Sequence, residues 1–195
     1  MGKAAKDWPQ LNFIIYHSGY RHVGSDPAVA MAEWDKTGRV SWVSDLAEIP
    51  AKYGVTNVYG DLGQLFAYST VAQPRLAAAM MGTLVRGLGP DRVVWGTDAV
   101  WTGSPQWQIE GLRRLEIPAE MQKTYGFKPL GAADGAVKTA IFSGNSTRLY
   151  NFERDKKVLL EKPDKLALAK AKYDAAGPER SNLRYGYVAK PVEGD

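Results

Sequence analysis

The sequence predicts an α/β fold built on a parallel β-sheet. Three short apolar segments have the composition of β-strands, at residues 11–17, 55–60 and 92–96. Helix-forming stretches separate these segments, and such alternation is typical of βα units, whose strands run parallel. The first segment is apolar almost without a break, as expected for a strand that is covered on both faces.

The helices are predicted from their start and stop signals. Asp26 and Pro27 open a short helix over residues 27–34, as a cap followed by a first-turn proline. The strongest helix signal covers residues 73–86, with an early proline and a Gly-Leu-Gly-Pro stop after it. Further helices are predicted at residues 44–50, 106–115, 133–142 and 165–175, with a last short turn at 145–150.

Composition and charge are those of an ordinary globular protein. Of the 195 residues, 45% are hydrophobic and 24% are charged, which argues against disorder for most of the chain. The net charge of +4 is spread along the sequence, so we expect a generally basic surface and no nucleic-acid binding. From Glu153 the sequence becomes rich in lysine and alanine, which predicts a main domain at 1–152 and a basic C-terminal tail at 153–195.

Several classes of protein are excluded or disfavoured. The chain has no cysteine, which excludes disulfides, cysteine-ligated zinc and thiol catalysis, so any metal must be held by histidine and carboxylate side chains. No apolar segment approaches the ~20 residues of a membrane span, and no signal peptide is recognisable, so we expect no membrane association and a cytoplasmic location. A serine hydrolase is disfavoured because no Gly-x-Ser-x-Gly motif is present.

Each predicted strand leads into a side chain that can carry chemistry, namely His17, Asp61 and Asp98. Since the carboxyl ends of parallel strands meet at one edge of a sheet, these residues are candidates for one site. Asp98 could bind a metal and shuttle a proton from water. The structural alternatives are a helix cap for Asp98 and a hydrogen-bonded structural histidine for His17.

The other polar and aromatic residues near these strand ends receive secondary roles. We expect Asp61 to cap a turn into residues 63–66. Aromatic side chains at the mouth of a site often shape a substrate pocket, which makes Trp101 a candidate, together with Tyr20 and Arg21.

Together these motifs resemble the C-terminal half of the amidohydrolase-related (amidohydrolase family 2) metal-dependent hydrolases. The resemblance covers residues 11–152 and rests on the order and spacing of five segments. The segments are His17-Ser18-Gly19, Asn57 to Gly63, Trp95-Gly96-Thr97-Asp98, Gly103 to Glu110, and Gly144 to Tyr150.

The resemblance implies the C-terminal part of a (β/α)8 TIM barrel, about three βα units, with the active site at the carboxyl ends of the strands. Such enzymes hold one or two divalent metals, often zinc, and use them to activate water for hydrolysis of a small molecule or, in some branches, to assist decarboxylation. By the same resemblance, Asp98 would ligate the metal and shuttle a proton, and His17 would ligate the metal or polarise the substrate.

This chain also departs from the family. The family places a His-x-His pair on its first strand, whereas this chain has only two histidines, His17 and His22. A catalytic zinc ion typically takes three protein ligands and a (β/α)8 barrel needs ~250 residues, so we expect the site to be incomplete and the isolated chain to be inactive.

The open edge of a three-stranded sheet has a further consequence. We expect self-association or a requirement for a complementary N-terminal half-barrel, because the missing units would otherwise leave a strand edge and apolar surface exposed. The alternative function is a non-catalytic half-barrel that serves binding or assembly.

Overall fold

The computed structural model describes residues 1–21, 26–99, 101–152 and 165–177. The chain divides into two units, Met1–Tyr150 and Asn151–Asp195. In the second unit a helix spans Lys165–Ala176, which confirms the helix expected at 165–175, and all of its side chains are exposed or half-buried. The rest of the sequence-based expectations for the tail fall on residues outside the described ranges.

The first unit is built around a three-stranded parallel sheet with the strand order β1-β2-β3. The strands are β1 (Phe13–Ile15), β2 (Val58–Asp61) and β3 (Val93–Val94). The prediction of an α/β fold with a parallel sheet is confirmed. The strands are shorter than the apolar segments because the chain turns early, for example into a 3-10 turn at Tyr16–Gly19 directly after β1.

The predicted helices of the first unit are present in the expected order, together with three that the sequence did not predict, at Gly2–Asp7, Gly63–Ala72 and Ala119–Tyr125. In chain order the helices are α1 (Gly2–Asp7), α2 (Pro27–Thr37), α3 (Val43–Tyr53), α4 (Gly63–Ala72), α5 (Pro74–Leu88), α6 (Pro105–Arg114), α7 (Ala119–Tyr125), α8 (Ala136–Thr139) and α9 (Asn145–Leu149). A π-helical segment at Ala140–Gly144 joins α8 to α9, so the helix predicted at 133–142 continues through the predicted turn.

The start and end of α2 show how local sequence fixes an element. The Asp26 side chain accepts a hydrogen bond from the Ala28 N–H at 2.9 Å, and Pro27 occupies the first turn, where its missing N–H costs nothing. The helix ends at Gly38, whose φ of 66° is a left-handed conformation that glycine adopts without strain. The cap predicted from the sequence is therefore confirmed.

Helix α5 is the centre of the hydrophobic core. All of its residues from 76 to 84 are buried, because α5 contacts the sheet and the helices α2, α3 and α4. An aromatic group lies beside it, in which the ring of Trp34 is 4.6 Å from that of Tyr125 and 6.0 Å from that of Phe127. Burial of apolar side chains in this core favours folding, and the aromatic contacts add to it.

Helix α4 was not predicted. Its sequence is apolar on all sides, with Leu65, Phe66 and Ala67 buried in succession, so it lacks the 3.6-residue period that identifies an amphipathic helix. This helix matters for function because it begins two residues after β2 ends, at the edge where His17 and Asp98 were expected to meet.

Among the residues that the structure describes, no helix combines the length and the apolar character that crossing a membrane requires.

The contact between α3 and α5 gives a stability prediction. A Cβ atom at Gly87 of α5 would overlap the main-chain oxygen of Ala47 on α3, so Gly87→Ala should lower the free energy of unfolding by about 1–3 kcal/mol. Gly144 is a matched control, because it is also helical and its nearest neighbour would be 3.8 Å from an added Cβ. Gly144→Ala should be neutral or stabilising by up to about 1 kcal/mol.

Urea denaturation of the two variants and the wild type measures these differences. Equal effects at both positions would contradict the close approach of α3 and α5.

Candidate active site

The three residues that follow or end the strands lie at one edge of the sheet. His17 is in the turn directly after β1, Asp61 is the last residue of β2, and Asp98 follows β3 after a short connection. All three strands run parallel, so their carboxyl ends point the same way. The grouping of these residues that the sequence suggested is therefore present in the structure.

His17 and Asp98 are in direct contact. The imidazole Nε2 of His17 lies 2.7 Å from Oδ2 of Asp98, and the two side chains are 29% and 30% exposed. Both residues adopt left-handed backbone conformations, with φ of 52° for His17 and 49° for Asp98. Such conformations are uncommon for residues other than glycine and persist only where the surrounding structure holds them.

The carboxylate of Asp98 also binds the beginning of α4. The main-chain N–H of Gln64, in the first turn of α4, donates to Oδ2 of Asp98 at 3.1 Å. The free N–H groups at a helix N-terminus carry partial positive charge, so they stabilise a carboxylate placed there. The cap alternative considered for Asp98 and its functional interpretation are thus compatible, because one carboxylate contacts both the helix and the histidine.

The contacts of Asp61 differ from those expected from the sequence. The N-cap residue of α4 is Leu62, and the side chain that accepts a first-turn N–H of α4 is that of Asp98, so the expectation that Asp61 caps the turn into residues 63–66 is wrong. Instead Oδ2 of Asp61 accepts a long hydrogen bond of 3.4 Å from the His17 N–H, and its main-chain oxygen accepts one of 2.8 Å from the Ser18 hydroxyl. Asp61 therefore contacts the left-handed turn that carries His17.

Burial affects the pKa of the Asp61 carboxyl. Loss of solvent raises the pKa of the Asp61 carboxyl above its ordinary value, and the nearby negative charge of Asp98 raises the pKa further. The His17 N–H and the imidazole act in the opposite direction and lower the pKa. The net shift is upward, because a half-buried carboxylate next to a second one is costly to ionise.

Two glycines leave room for this arrangement. A Cβ atom at Gly63 would lie 2.8 Å from both Oδ2 of Asp61 and Cδ2 of His17, and a Cβ at Gly96 would overlap Oδ1 of Asp61. A larger residue at Gly63 would displace the Asp61 and His17 side chains, and one at Gly96 would displace Asp61.

A cavity of about 590 Å³ opens at this edge of the sheet. It is lined by Tyr16, His17, Asp61, Gln64, Asp98 and Trp101. Trp101 thus lies where the sequence suggested a pocket residue, and its contact with substrate stays a prediction.

The other two candidates for the substrate pocket lie elsewhere. Tyr20 is only 7% exposed and belongs to the hydrophobic core, and neither it nor the exposed Arg21 lines this cavity. His22 lies outside the described residues. Nothing in the sequence indicated Gln64, because it contributes a main-chain N–H, which nearly every residue type has.

The described residues do not fit a complete metal site. A catalytic zinc ion takes three protein ligands and a water, whereas His17 and Asp98 supply two. In the described parts of the chain no group of three or more histidine and acidic side chains is placed to hold a metal ion.

Comparison with protein families decides the relationship. The model of the family described as Amidohydrolase matches residues 1–152. The chain belongs to the amidohydrolase family. The resemblance read from the sequence is thereby confirmed.

A solved amidohydrolase structure shares the fold, and a second one was also matched. An amidohydrolase from Burkholderia multivorans with bound HEPES is 16% identical, with a TM-score of 0.50 over 77% of this chain and 49% of that chain. Another structure of a Burkholderia multivorans amidohydrolase, with bound zinc, is also 16% identical, with a TM-score of 0.48 over 77% of this chain and 49% of that chain. The chain thus spans about half the length of these amidohydrolases.

A decarboxylase is also among the similar structures. The 5-carboxyvanillate decarboxylase from Sphingomonas paucimobilis is 14% identical, with a TM-score of 0.40 over 76% of this chain and 36% of that chain. No curated protein sequence matches the chain.

The raised pKa of Asp61 predicts a pH-dependent difference between the wild type and Asp61→Asn. The protonated form of Asp61 is favoured in the folded state, so its stabilising contribution is present below the ordinary pKa of 3.8 and is lost as the pH rises through the higher folded-state pKa. The asparagine side chain of the variant does not ionise, and it keeps an oxygen that can accept the His17 N–H.

Asp61→Asn should therefore gain stability relative to the wild type as the pH rises above 3.8, and the difference should level off beyond the folded-state pKa. Denaturant unfolding of both proteins at a series of pH values measures it. A difference that does not change with pH, or that shrinks as the pH rises, would contradict the buried, carboxylate-facing position of Asp61.

Proposed function

We propose that this chain supplies part of the active site of an amidohydrolase-superfamily enzyme, a hydrolase or decarboxylase that acts on a small molecule. The observation that carries the proposal is the contact of 2.7 Å between Nε2 of His17 and Oδ2 of Asp98, inside a cavity at the carboxyl ends of parallel strands. Catalytic groups in barrel enzymes of this kind occupy that position.

The three βα units would form the C-terminal part of a (β/α)8 barrel. Three features support this assignment: the parallel order β1-β2-β3, the placement of α4 and α5 between β2 and β3, and the fold shared with the Burkholderia multivorans amidohydrolase. A barrel closes when further strands pair with both outer strands of such a sheet.

The chemistry of the His17–Asp98 pair is proton transfer. Nε2 and Oδ2 lie within hydrogen-bonding distance, so a proton can be passed between them, and both side chains line the cavity. Asp98 can take a proton from water or substrate, while the Gln64 N–H stabilises the carboxylate when the proton leaves again. His17 keeps the accepting oxygen oriented throughout.

A divalent metal, with zinc as the first candidate, is the proposed cofactor. When bound, such an ion lowers the pKa of a coordinated water to about 7 and so provides a nucleophile at neutral pH. Because His17 and Asp98 alone do not fit a complete site, the remaining ligands would have to come from residues outside the described ranges or from another polypeptide segment.

The proposed source of the missing groups is a complementary N-terminal half-barrel that pairs with the open edge of β1. In the described sheet β1 pairs only with β2, and the large apolar side chains of Trp8, Leu11 and Tyr16 beside β1 are exposed. Folded proteins normally cover a strand edge that is unpaired and flanked by exposed apolar side chains. Self-association of the chain alone would be the consequence of leaving it uncovered.

Zinc binding by the purified full chain tests the role of the pair. We expect weak binding that falls by more than ~10-fold in His17→Ala and in Asp98→Ala, since loss of even an outer-shell partner costs at least that much. Asp7→Ala is the control, because Asp7 is an exposed carboxylate on α1 paired with Lys3. Equal zinc binding by the wild type and all variants would contradict a role of the pair in holding the metal.

The open edge predicts self-association of the isolated chain. Light scattering coupled to size-exclusion chromatography should show species larger than a monomer, and Leu11→Lys should reduce them by placing a charge beside the edge of β1. Leu166→Lys, at an exposed position in the second unit, should leave the distribution unchanged. A compact wild-type monomer that melts cooperatively would count against the proposed half-barrel.

A further inference from the structure

The connection that follows β3 carries Asp98 and is stabilised by hydrogen bonds between its own residues. Within residues 97–102, leaving aside residue 100, the Thr102 N–H donates to the main-chain oxygen of Asp98 at 3.2 Å, and the Ala99 N–H donates to the Thr97 hydroxyl at 3.2 Å. The Thr102 hydroxyl donates to the main-chain oxygen of Thr97. These bonds bring the two ends of the connection together around the left-handed Asp98.

One side chain from α6 joins both ends of this connection. The Gln108 Nε2 donates to the Thr97 main-chain oxygen at 2.9 Å and to the Thr102 hydroxyl at 3.0 Å. Gln108 is only 2% exposed, so these hydrogen bonds lie where water competes little. The backbone on either side of Asp98 is therefore fixed to a rigid helix.

The environment of the Gln108 Oε1 atom indicates that this residue does more than fill space in the core. Its Oε1 is buried and has no hydrogen-bond partner among the described residues. A buried unsatisfied acceptor costs about 1–3 kcal/mol, so an apolar residue of similar size would serve packing alone at least as well. The two hydrogen bonds that Nε2 donates, to Thr97 and Thr102, explain why an amide side chain is present at this position.

The two helices that hold Asp98 also contact each other closely. A Cβ atom at Gly111 of α6 would lie 2.8 Å from Cγ2 of Thr70 on α4, so the glycine allows the helices to approach. Helix α4 binds the Asp98 carboxylate through the Gln64 N–H, and α6 binds the surrounding backbone through Gln108. The carboxylate and its backbone are thus held by one packed pair of helices.

We propose that Gln108 is a positioning residue, which clamps the 97–102 connection to α6 and so holds the Asp98 carboxylate within hydrogen-bonding distance of His17. This inference rests on the proposed function of the His17–Asp98 pair. Gln108 does not line the cavity and acts only through the connection.

The signature to measure is the pair of ring nitrogen chemical shifts of His17, recorded by NMR on the full chain labelled at histidine. The chain has only two histidines, so His17→Gln assigns the signals. Asp98→Ala then defines the shifts of His17 without its carboxylate partner. Gln108→Leu should move the His17 signals towards those of Asp98→Ala.

Matched variants separate positioning from general stability. Gln122→Leu also removes an amide bond to a main-chain oxygen, that of Ile117, and should leave the His17 signals unchanged even where it lowers the melting temperature. Thr102→Val should shift the His17 signals in the same direction as Gln108→Leu, and Thr102→Ser should restore them. These threonine variants keep the test decisive if Gln108→Leu fails to fold.

Two results overturn the inference, and they differ from each other. If Asp98→Ala moves the His17 signals but Gln108→Leu and Thr102→Val do not, the pair exists and Gln108 does not position it. If Asp98→Ala leaves the His17 signals where they are, the pair itself is absent in solution, and the proposed function fails with it.

Discussion

The contact between His17 and Asp98 is the constraint on which the rest of the site depends, because these residues follow strands that are not neighbours. Adjacent strands lie about 4.8 Å apart, so β1 and β3 are separated by the whole width of β2. The two side chains can meet only above the end of β2. Both residues therefore turn inward in left-handed conformations, and Gly63 lies beneath them, where a Cβ would be 2.8 Å from His17 and 3.2 Å from Asp98.

Two acidic side chains, Asp61 and Asp98, lie at this edge of the sheet and have different partners. Asp98 contacts the His17 imidazole and the N-terminus of α4. Asp61 has the main-chain N–H of His17 as its donor and lies deeper, so its pKa is raised. The two carboxyl groups therefore have different partners: Asp98 contacts the His17 ring and the start of α4, whereas Asp61 contacts the main chain of the turn that carries His17.

Sequence alone could identify the strands, the central helix α5 and two of the residues that meet, because apolar segments and their punctuation are local signals. It could not identify α4, since a helix that is apolar all round has no period. It could not identify the contact of Asp61 with the His17 N–H, which depends on the positive φ of His17. The contact of Gln64 with Asp98 is made by a main-chain N–H and so leaves no mark in the sequence either. Gln108 gives no signal either, because its partners are a carbonyl and a hydroxyl.

Among the described residues, the contacts that support the His17–Asp98 pair come from the first unit: β2 beneath it, α4 at its carboxylate and α6 behind its connection. A complementary half-barrel of the kind proposed would therefore meet two side chains that are already oriented. Preorganisation of this kind lowers the cost of binding a metal or a substrate, since the ordering of these groups is part of folding.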